Sequence, residues 1–473
     1  MSNPLTRRQF LGNSGKTVAG VAAGLSVLGP RSMLSSAWAA GANKRLGIAL
    51  IGCGGMGRHK LGNFLDTKQV DVLALCDVDT EQMDKAEAVI TEKLKDAAGQ
   101  KKPQRFKDFR KVLDMKEVEI VIIATPDHWH AAPMLLACQA EKDIYVEKPC
   151  CHNIREGKAM VAAAEKYKRV VQVGTHQRSY EHIQAAREFV RNGELGEISA
   201  TNTYTYGNES PDGLGNEPDS DPPPTVDYNL WLGPAPERKF NKRRFHSSWR
   251  WYFDYGCGMV GDWNVHLQDI IMWTLDTPHP TSVCSMGGHY ILADDRDTPD
   301  TMVTIYKFPP SKLAPKGHVH TYTLRKASGK PWHKGGIGMD FHGTNGFLHM
   351  TRGGWEVEPD LEDWNRPGSE PRIDPVKEMG EYHKKDVEGH SAHVENFLEC
   401  VQSREKPIAS IDQHYTSVVA CHLANVSLRV GRQIFWNHEK ELCFMDEKMT
   451  VEDKEANKFL GREYRKGFEL PEV

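Results

Sequence analysis

The stretch Leu46-Gly47-Ile48-Ala49-Leu50-Ile51-Gly52-Cys53-Gly54-Gly55-Met56-Gly57 decides the fold. Its apolar run predicts a strand buried on both faces, and the glycine cluster that ends it predicts a turn opening a helix over residues 56–65. In this spacing Gly52 makes the tight turn, Gly54 lets backbone approach a pyrophosphate, and Gly57 lets helix and strand touch. Gly55 leads into the helix that Met56 begins, whose N-terminal amides attract the anion. A second strand, Val70–Cys76, leads to Asp77, an acid about 20 residues beyond the glycines, as a dinucleotide site requires. Asp77 is expected to accept hydrogen bonds from the adenosine ribose and to repel a 2′-phosphate. Val78 offers no compensating positive charge, so the pattern predicts NAD in preference to NADP. A glycine turn used only for packing is the alternative, but strand, turn, helix and acid together supply the context that a lone GxGxxG lacks.

Outward from this stretch, a helix over 81–98, a strand over 120–124, a helix at Ala131–Gln139 and a strand over 144–146 complete a Rossmann-like α/β unit over residues 45–170. Beyond it the chain turns β-rich, at 199–206, Thr301–Phe308 and His318–Arg325. This predicts an α+β domain over 171–445 with a large open, mainly antiparallel sheet. A helical region over 391–430 is expected to pack on one of the domains. Residues 207–227 contain five prolines and a surplus of acids, which reads as a solvated loop, with a lid or an oligomer arm as the alternative. The charged tail over 446–473 shows no clear core pattern.

The composition, 39% hydrophobic and 26% charged, is that of a globular protein. A formal net charge of -4 argues against nucleic acid or an anionic membrane as partner. At the N-terminus, Thr6-Arg7-Arg8-Gln9-Phe10-Leu11 is similar to a twin-arginine (Tat) export signal. It is followed by an apolar stretch over 18–28 and a small-residue cleavage site at Ala37-Trp38-Ala39. Gly20 and Gly24 interrupt that stretch and Gly29 and Pro30 end it, so it falls short of the roughly 20 residues needed to span a bilayer. Cleavage of residues 1–39 and release into the periplasm are therefore expected over a retained anchor, with the Tat machinery as partner and no stable membrane insertion of the mature chain. Ten cysteines lack CxxC or zinc-like spacing, and Cys53, Cys76 and Cys138 sit in apolar or glycine-rich runs, so buried thiols are expected. Twenty-one histidines include no HExxH, and no metal is expected.

Three further segments bear on chemistry: Thr125-Pro126-Asp127-His128-Trp129-His130, Glu147-Lys148-Pro149 and Asp262-Trp263-Asn264-Val265-His266. With His176-Gln177-Arg178 and Trp231-Leu232-Gly233-Pro234-Ala235-Pro236, they resemble in order and spacing the Gfo/Idh/MocA family, which includes glucose-fructose oxidoreductase and inositol dehydrogenase. The resemblance implies that Lys148 lies near the nicotinamide and the substrate hydroxyl, and that Asp262 and His266 bear on the departing proton. Thr125, Pro126, His130, Glu147 and Lys148 then join the glycines and Asp77 around the cofactor. Oxidising a secondary alcohol sends a hydride to nicotinamide and a proton to a base, and histidine suits a base at neutral pH. His266 is thus the expected base, Lys148 the group stabilising alkoxide charge, and Asp262 the group orienting substrate hydroxyls or the imidazole. If their segment is helical, Asp262 and His266 share a face. Many relatives carry asparagine where Asp127 stands, so Asp127 is given no direct role. Arg178, Trp251, Tyr252 and Asp254 suit a sugar pocket, or equally a core and a surface. Other readings are a helix N-cap for Asp262, a structural histidine for His266 and a surface lysine for Lys148.

The resulting expectation is an exported NAD-dependent oxidoreductase acting on a CH–OH group of a sugar, cyclitol or glycoside. Free cofactor is scarce outside the inner membrane, so NAD is expected to be tightly held and its redox cycle closed within the site. A family 109-like glycoside hydrolase, which oxidises transiently and eliminates, is one alternative, and a non-catalytic sugar- or nucleotide-binding protein is another. Relatives often associate through the exposed face of the second sheet, which implies a homo-oligomer.

Overall fold

The computed structural model describes residues 45–95, 102–330, 335–366, 368–379 and 387–473. The export signal over 1–39 and the end of the helix expected over 81–98 lie outside the described residues.

β1 (Leu46–Ile51) is buried from Gly47 onward and sits at the centre of a six-stranded parallel sheet. The sheet runs in the order β3 (Gln104–Phe106), β2 (Val70–Cys76), β1, β4 (Ile120–Ile123), β5 (Asp143–Val146) and β6 (Val171–Val173). Helices cover both faces of such a sheet, and Ile48, Leu50, Ile120 and Ile122 accordingly pack against Leu61 and Phe64 of the helix Gly55–Asp66. That helix starts at Gly54 with no side-chain cap, leaving its first amides for a ligand. The next helix, Thr80–Lys93, is capped conventionally, with Asp79 Oδ1 accepting from the Glu81 amide at 3.1 Å.

The second sheet has ten strands in the order β14 (Val376–Met379), β13 (Gly354–Pro359), β12 (Gly346–Thr351), β11 (Ile337–Gly343), β7 (Ile198–Tyr206), β10 (His318–Arg325), β9 (Thr301–Phe308), β8 (Ser282–Gly288), β15 (Ile434–Asn437) and β16 (Leu442–Phe444). Neighbours are antiparallel except β7 and β10. Alternation along β9, with Met302, Tyr306 and Phe308 inward and Val303 and Ile305 exposed, shows one face buried and one uncovered. Helices Glu181–Arg191, Val265–Leu275 and Ile411–Val430 fill the buried face. The fold is thus a Rossmann domain joined to an α+β domain with a large, open, mainly antiparallel sheet.

Three boundaries differ from expectation. β6 completes the first sheet, so the nucleotide domain does not stop at residue 170. The helical region over 391–430 is two helices, and the first, Val387–Ser403, packs Val394, Phe397 and Leu398 against Ile48, Leu50 and Tyr145 of the nucleotide domain. Its apolar stripe completes a distant core, which local pattern does not reveal. The tail over 446–473 is docked: Ala456 and Leu460 are buried in the main core, and Arg465 donates to the Asn229 and Gly233 carbonyls at 2.6 and 2.9 Å. Its charges mask a few anchoring apolar residues. Nine of the ten cysteines are buried, Cys284 being half-buried, and all are free thiols. No helix among the described residues is long and apolar enough to cross a membrane.

Candidate active site

The glycine turn opens onto a cavity of about 510 Å³. Gly52 adopts φ +90° with its backbone against Ala124, and a Cβ on Gly57 would meet the Gly52 carbonyl oxygen at 1.9 Å. These two glycines are therefore demanded by the protein's own packing. Gly54 and Gly55 have open space where a Cβ would stand, and both face the cavity with Met56. At the end of β2, Asp77 accepts from the Cys53 amide at 2.7 Å and the Asp79 amide at 2.9 Å, tying the glycine turn to the acid. Burial raises the Asp77 carboxyl to about 6, although the two amides pull the other way.

Thr125, Pro126, Glu147 and Lys148 line the same cavity. Lys148 Nζ donates at 2.8 Å to both the carbonyl oxygen and the Oδ1 of Asp262. Burial alone would raise the Asp262 carboxyl, but Lys148 and Arg250 outweigh it and hold it at about 2, so it is ionised. Asp262 lies in a π-helical turn, Val260–Asn264, that runs into the α-helix Val265–Leu275. The simple α-helical spacing expected between Asp262 and His266 is therefore broken by a wider turn of the kind found at functional sites, and Asp262 is not an N-cap. Neither Asp262 nor His266 is among the residues lining the cavity: Asp262 sits behind Lys148 and Arg250, and His266 is buried, its Nδ1 without a hydrogen-bond partner among the described residues. Burial first, then Lys148 and Arg352, push its pKa well below the usual value and keep it neutral.

Four expected contacts are corrected. His130 does not line the cavity; its ring nitrogens lie 2.7 Å from the Pro149 carbonyl and 2.9 Å from that of Thr125. Burial lowers its pKa to about 4, and a neutral ring donates to one of the two carbonyls at a time, bracing the two turns. Arg178 is fully buried and forks onto Asp269 at 2.6 and 2.7 Å, with further bonds to Ile408 and Gln413. Tyr252 is buried in an aromatic cluster with Trp231, Trp249 and Tyr255. Trp251 lies beneath Arg296 and Lys326, away from the cavity. The aromatic rings that do line it are Phe109, Trp129, Trp231, Phe245 and Trp249.

Sequence reasoning also missed three groups. Arg250 lines the cavity, donates from Nε to Asp262 Oδ1 at 3.0 Å and stacks over Trp249 at 4.4 Å; its place between Trp249 and Trp251 was the available signal. Asp127, given no direct role, lines the cavity and is buried, which raises its carboxyl well above the usual range. Lys60, on what reads as an ordinary helix, is fully buried. Its Nζ is 2.6 Å from His390 Nδ1 and 3.9 Å from Glu147 Oε1. His390 stacks on His176 at 3.6 Å between ring centres, and His176 meets the edge of His266 at 5.2 Å. Among the described residues no group of three or more histidine, cysteine or acidic side chains is arranged to hold a metal ion.

A roof over the cavity comes from the second domain. Asp227 donates its amide to the Val78 carbonyl at 2.9 Å, and His246 reaches Asp79 at 3.2 Å, both beside Asp77. The proline-rich segment therefore ends as an anchored strap, with its middle exposed.

Residues 46–175 match the NAD-binding Rossmann fold of an oxidoreductase family, GFO_IDH_MocA, and residues 189–288 match that family's C-terminal alpha/beta domain. A glycosyl hydrolase family 109 protein of Saccharopolyspora erythraea is 31% identical over 183 residues, covering 36% of this chain and 38% of that protein. A D-apiose dehydrogenase of Paraburkholderia graminis is 31% identical over 154 residues, covering 32% and 38% respectively. The chain thus spans well under two thirds of the length of these curated relatives. A solved levoglucosan dehydrogenase in complex with NADH superposes with a TM-score of 0.60 at 18% identity, covering 82% of this chain and 98% of that one, which shows a shared fold.

Proposed function

The chain belongs to the Gfo/Idh/MocA oxidoreductase family, and from that premise we propose that it is an exported enzyme moving hydride between a retained NAD and a secondary hydroxyl of a sugar, cyclitol or glycoside. One observation carries this reading: a single cavity is lined by the glycine turn, by Asp77 and by Lys148, whose ammonium is bonded to Asp262.

A bound NAD would supply the hydride acceptor. Gly54 and Gly55 leave open space at the uncapped helix amides that would receive its pyrophosphate, Asp77 would take ribose hydroxyls on its remaining lone pairs, and Thr125 and Pro126, which line the same cavity, would hold the nicotinamide side. Lys148 uses two donors on Asp262 and turns the third to the substrate oxygen, stabilising alkoxide charge. Asp262 fixes that ammonium. His266, neutral and with Nδ1 unpartnered, is the proposed acceptor of the hydroxyl proton, although burial and the nearby Lys148 and Arg352 disfavour its protonated form. The roof from the second domain favours slow cofactor release and a redox cycle closed within the site. Thr6-Arg7-Arg8-Gln9-Phe10-Leu11 supports export to the periplasm, and the exposed Met286, Val303, Ile305 and Val319 of the open sheet favour a homo-oligomer.

A second reading is redox-neutral glycoside cleavage, favoured by the similarity to family 109 glycosyl hydrolase proteins. Mass spectrometry of nucleotide released by denaturing the purified protein tests retention: near-stoichiometric NAD or NADH is expected, and a protein that neither carries nor binds NAD overturns the proposal. Product analysis separates the two chemistries. A keto-sugar with matching NADH marks the dehydrogenase, whereas a cleaved glycoside without NADH accumulation marks the hydrolase.

A further inference from the structure

The reacting end of the cavity carries more positive charge than a neutral sugar can answer. Lys148 and Arg250 both line it, and both bind the same oxygen, Asp262 Oδ1. Neither cation is saturated. Lys148 retains one N–H beyond its two bonds to Asp262. Arg250 gives Nε to Asp262 and Nη1 to the Ser247 carbonyl at 2.9 Å, and its Nη2 makes no hydrogen bond among the described residues. Arg352, stacked on Trp263 at 4.6 Å, adds a third cation within electrostatic reach of His266.

Ionised acids do not balance this set. Asp262 is one negative charge shared between two cations. Beyond it, two carboxyls line the cavity beside Lys148: Glu147 is paired with the buried Lys60 at 3.9 Å, and Asp127 is held towards its protonated form by burial, ahead of the opposing pull of Lys148 and Arg250. His266 is neutral, and an oxidised nicotinamide would bring a further positive charge. A recess with surplus positive charge and spare donors on two neighbouring cations favours an anionic ligand, and a guanidinium is suited in geometry to a carboxylate.

We propose that the substrate is an acidic carbohydrate, a uronic acid or a glycoside of one, bound with its carboxylate on Arg250 and its reacting hydroxyl on Lys148. This rests on reading the site as a sugar oxidoreductase. The carboxylate is a spectator. The reacting carbon loses hydride to the nicotinamide and its hydroxyl loses a proton to His266, leaving a ketone with the carboxylate unchanged. Arg250 is held by the Ser247 carbonyl and over the face of Trp249, which fixes the guanidinium as a partner for the carboxylate.

The test titrates glucuronate and galacturonate, free and as their methyl glycosides, against glucose, galactose and the corresponding neutral glycosides. The protein is loaded with NAD; binding is read by calorimetry and turnover by NADH absorbance. Uronates should bind at least about tenfold more tightly than their neutral parents, the span of one charge-assisted hydrogen bond, and the advantage should shrink with added salt. Arg250→Gln should collapse the preference, and Arg250→Lys, which keeps the charge, should retain part of it. Preference for the free acid over its glycoside, or the reverse, identifies which form is the substrate. Neutral sugars bound and oxidised as well as uronates, or a preference intact in Arg250→Gln, overturn this inference and leave the oxidoreductase reading standing. If no sugar of either kind binds or reduces the bound nucleotide, the oxidoreductase reading falls, and the inference with it.

Discussion

Lys148 Nζ is bonded at 2.8 Å to two oxygens of one residue, the carbonyl and the Oδ1 of Asp262, across 114 positions of sequence. The ammonium is held from below by a helix turn of the second domain while it faces a cavity floored by the first. Any shift between the domains at this point moves the group proposed to stabilise alkoxide. The same contact, together with Arg250, outweighs burial at the Asp262 carboxyl and keeps it ionised.

Lys148→Met should therefore lower kcat by at least about a hundredfold, the scale for losing one donor aimed at developing negative charge, while NAD stays bound. Retention of nucleotide is checked by mass spectrometry and turnover by product analysis. Full activity in this variant would remove Lys148 from the chemistry.

The glycines of the turn should behave in opposite ways. Gly57→Ala places a Cβ against the Gly52 carbonyl oxygen, well inside contact distance, so thermal stability and cofactor affinity should fall together. Gly54→Ala meets nothing within 4 Å, so its melting temperature should stay near that of the parent while nucleotide affinity drops, because the methyl occupies the space proposed for pyrophosphate. Calorimetric binding alongside thermal melts separates the two.

Cofactor affinity should weaken as pH falls through about 6. Burial raises the Asp77 carboxyl to that value; above it the ionised group accepts ribose hydroxyl bonds, and below it the protonated group loses acceptor capacity. Asp77→Asn should bind more weakly and lose this pH dependence. Titrations of the nucleotide-free protein on both sides of that pH measure the slope.

Arg178 should matter for stability and not for substrate recognition. It is fully buried on Asp269, whose Oδ1 also accepts from Ser417 Oγ at 2.9 Å. Arg178→Met leaves a buried carboxylate without its partner and should cost about 3–5 kcal/mol. Burial would raise the Asp269 carboxyl, but Arg178 and His414 more than offset it and hold it far below the usual range. The pair's contribution is thus fully present above the unfolded carboxylate pKa of about 3.9 and is lost as pH falls below it. Denaturant unfolding as a function of pH checks the sign. An unchanged midpoint in Arg178→Met would count against this assignment.

Residues with a local geometric reason were legible. The glycine turn, Asp77 and the order of the strands follow from spacing within a few turns of chain, and Lys148 follows from its place at the end of an inner strand. Residues whose role depends on a distant partner were not. Arg178 looks the same in sequence whether it meets a sugar or Asp269, which lies 91 positions away. Lys60 looks like a helix surface lysine until His390, 330 positions away, is placed against it. The docked tail was missed for the same reason.

By itself the sequence determined the Rossmann unit, the acid at its second strand and the segments that would carry the chemistry, because hydrogen bonding, steric limits and apolar periodicity act over neighbouring residues. Only the tertiary structure decided which cations share Asp262, which arginine is locked in the core and which rings line the cavity. Burial and Coulomb interactions depend on distance in space, and that distance is set by packing among elements far apart along the chain.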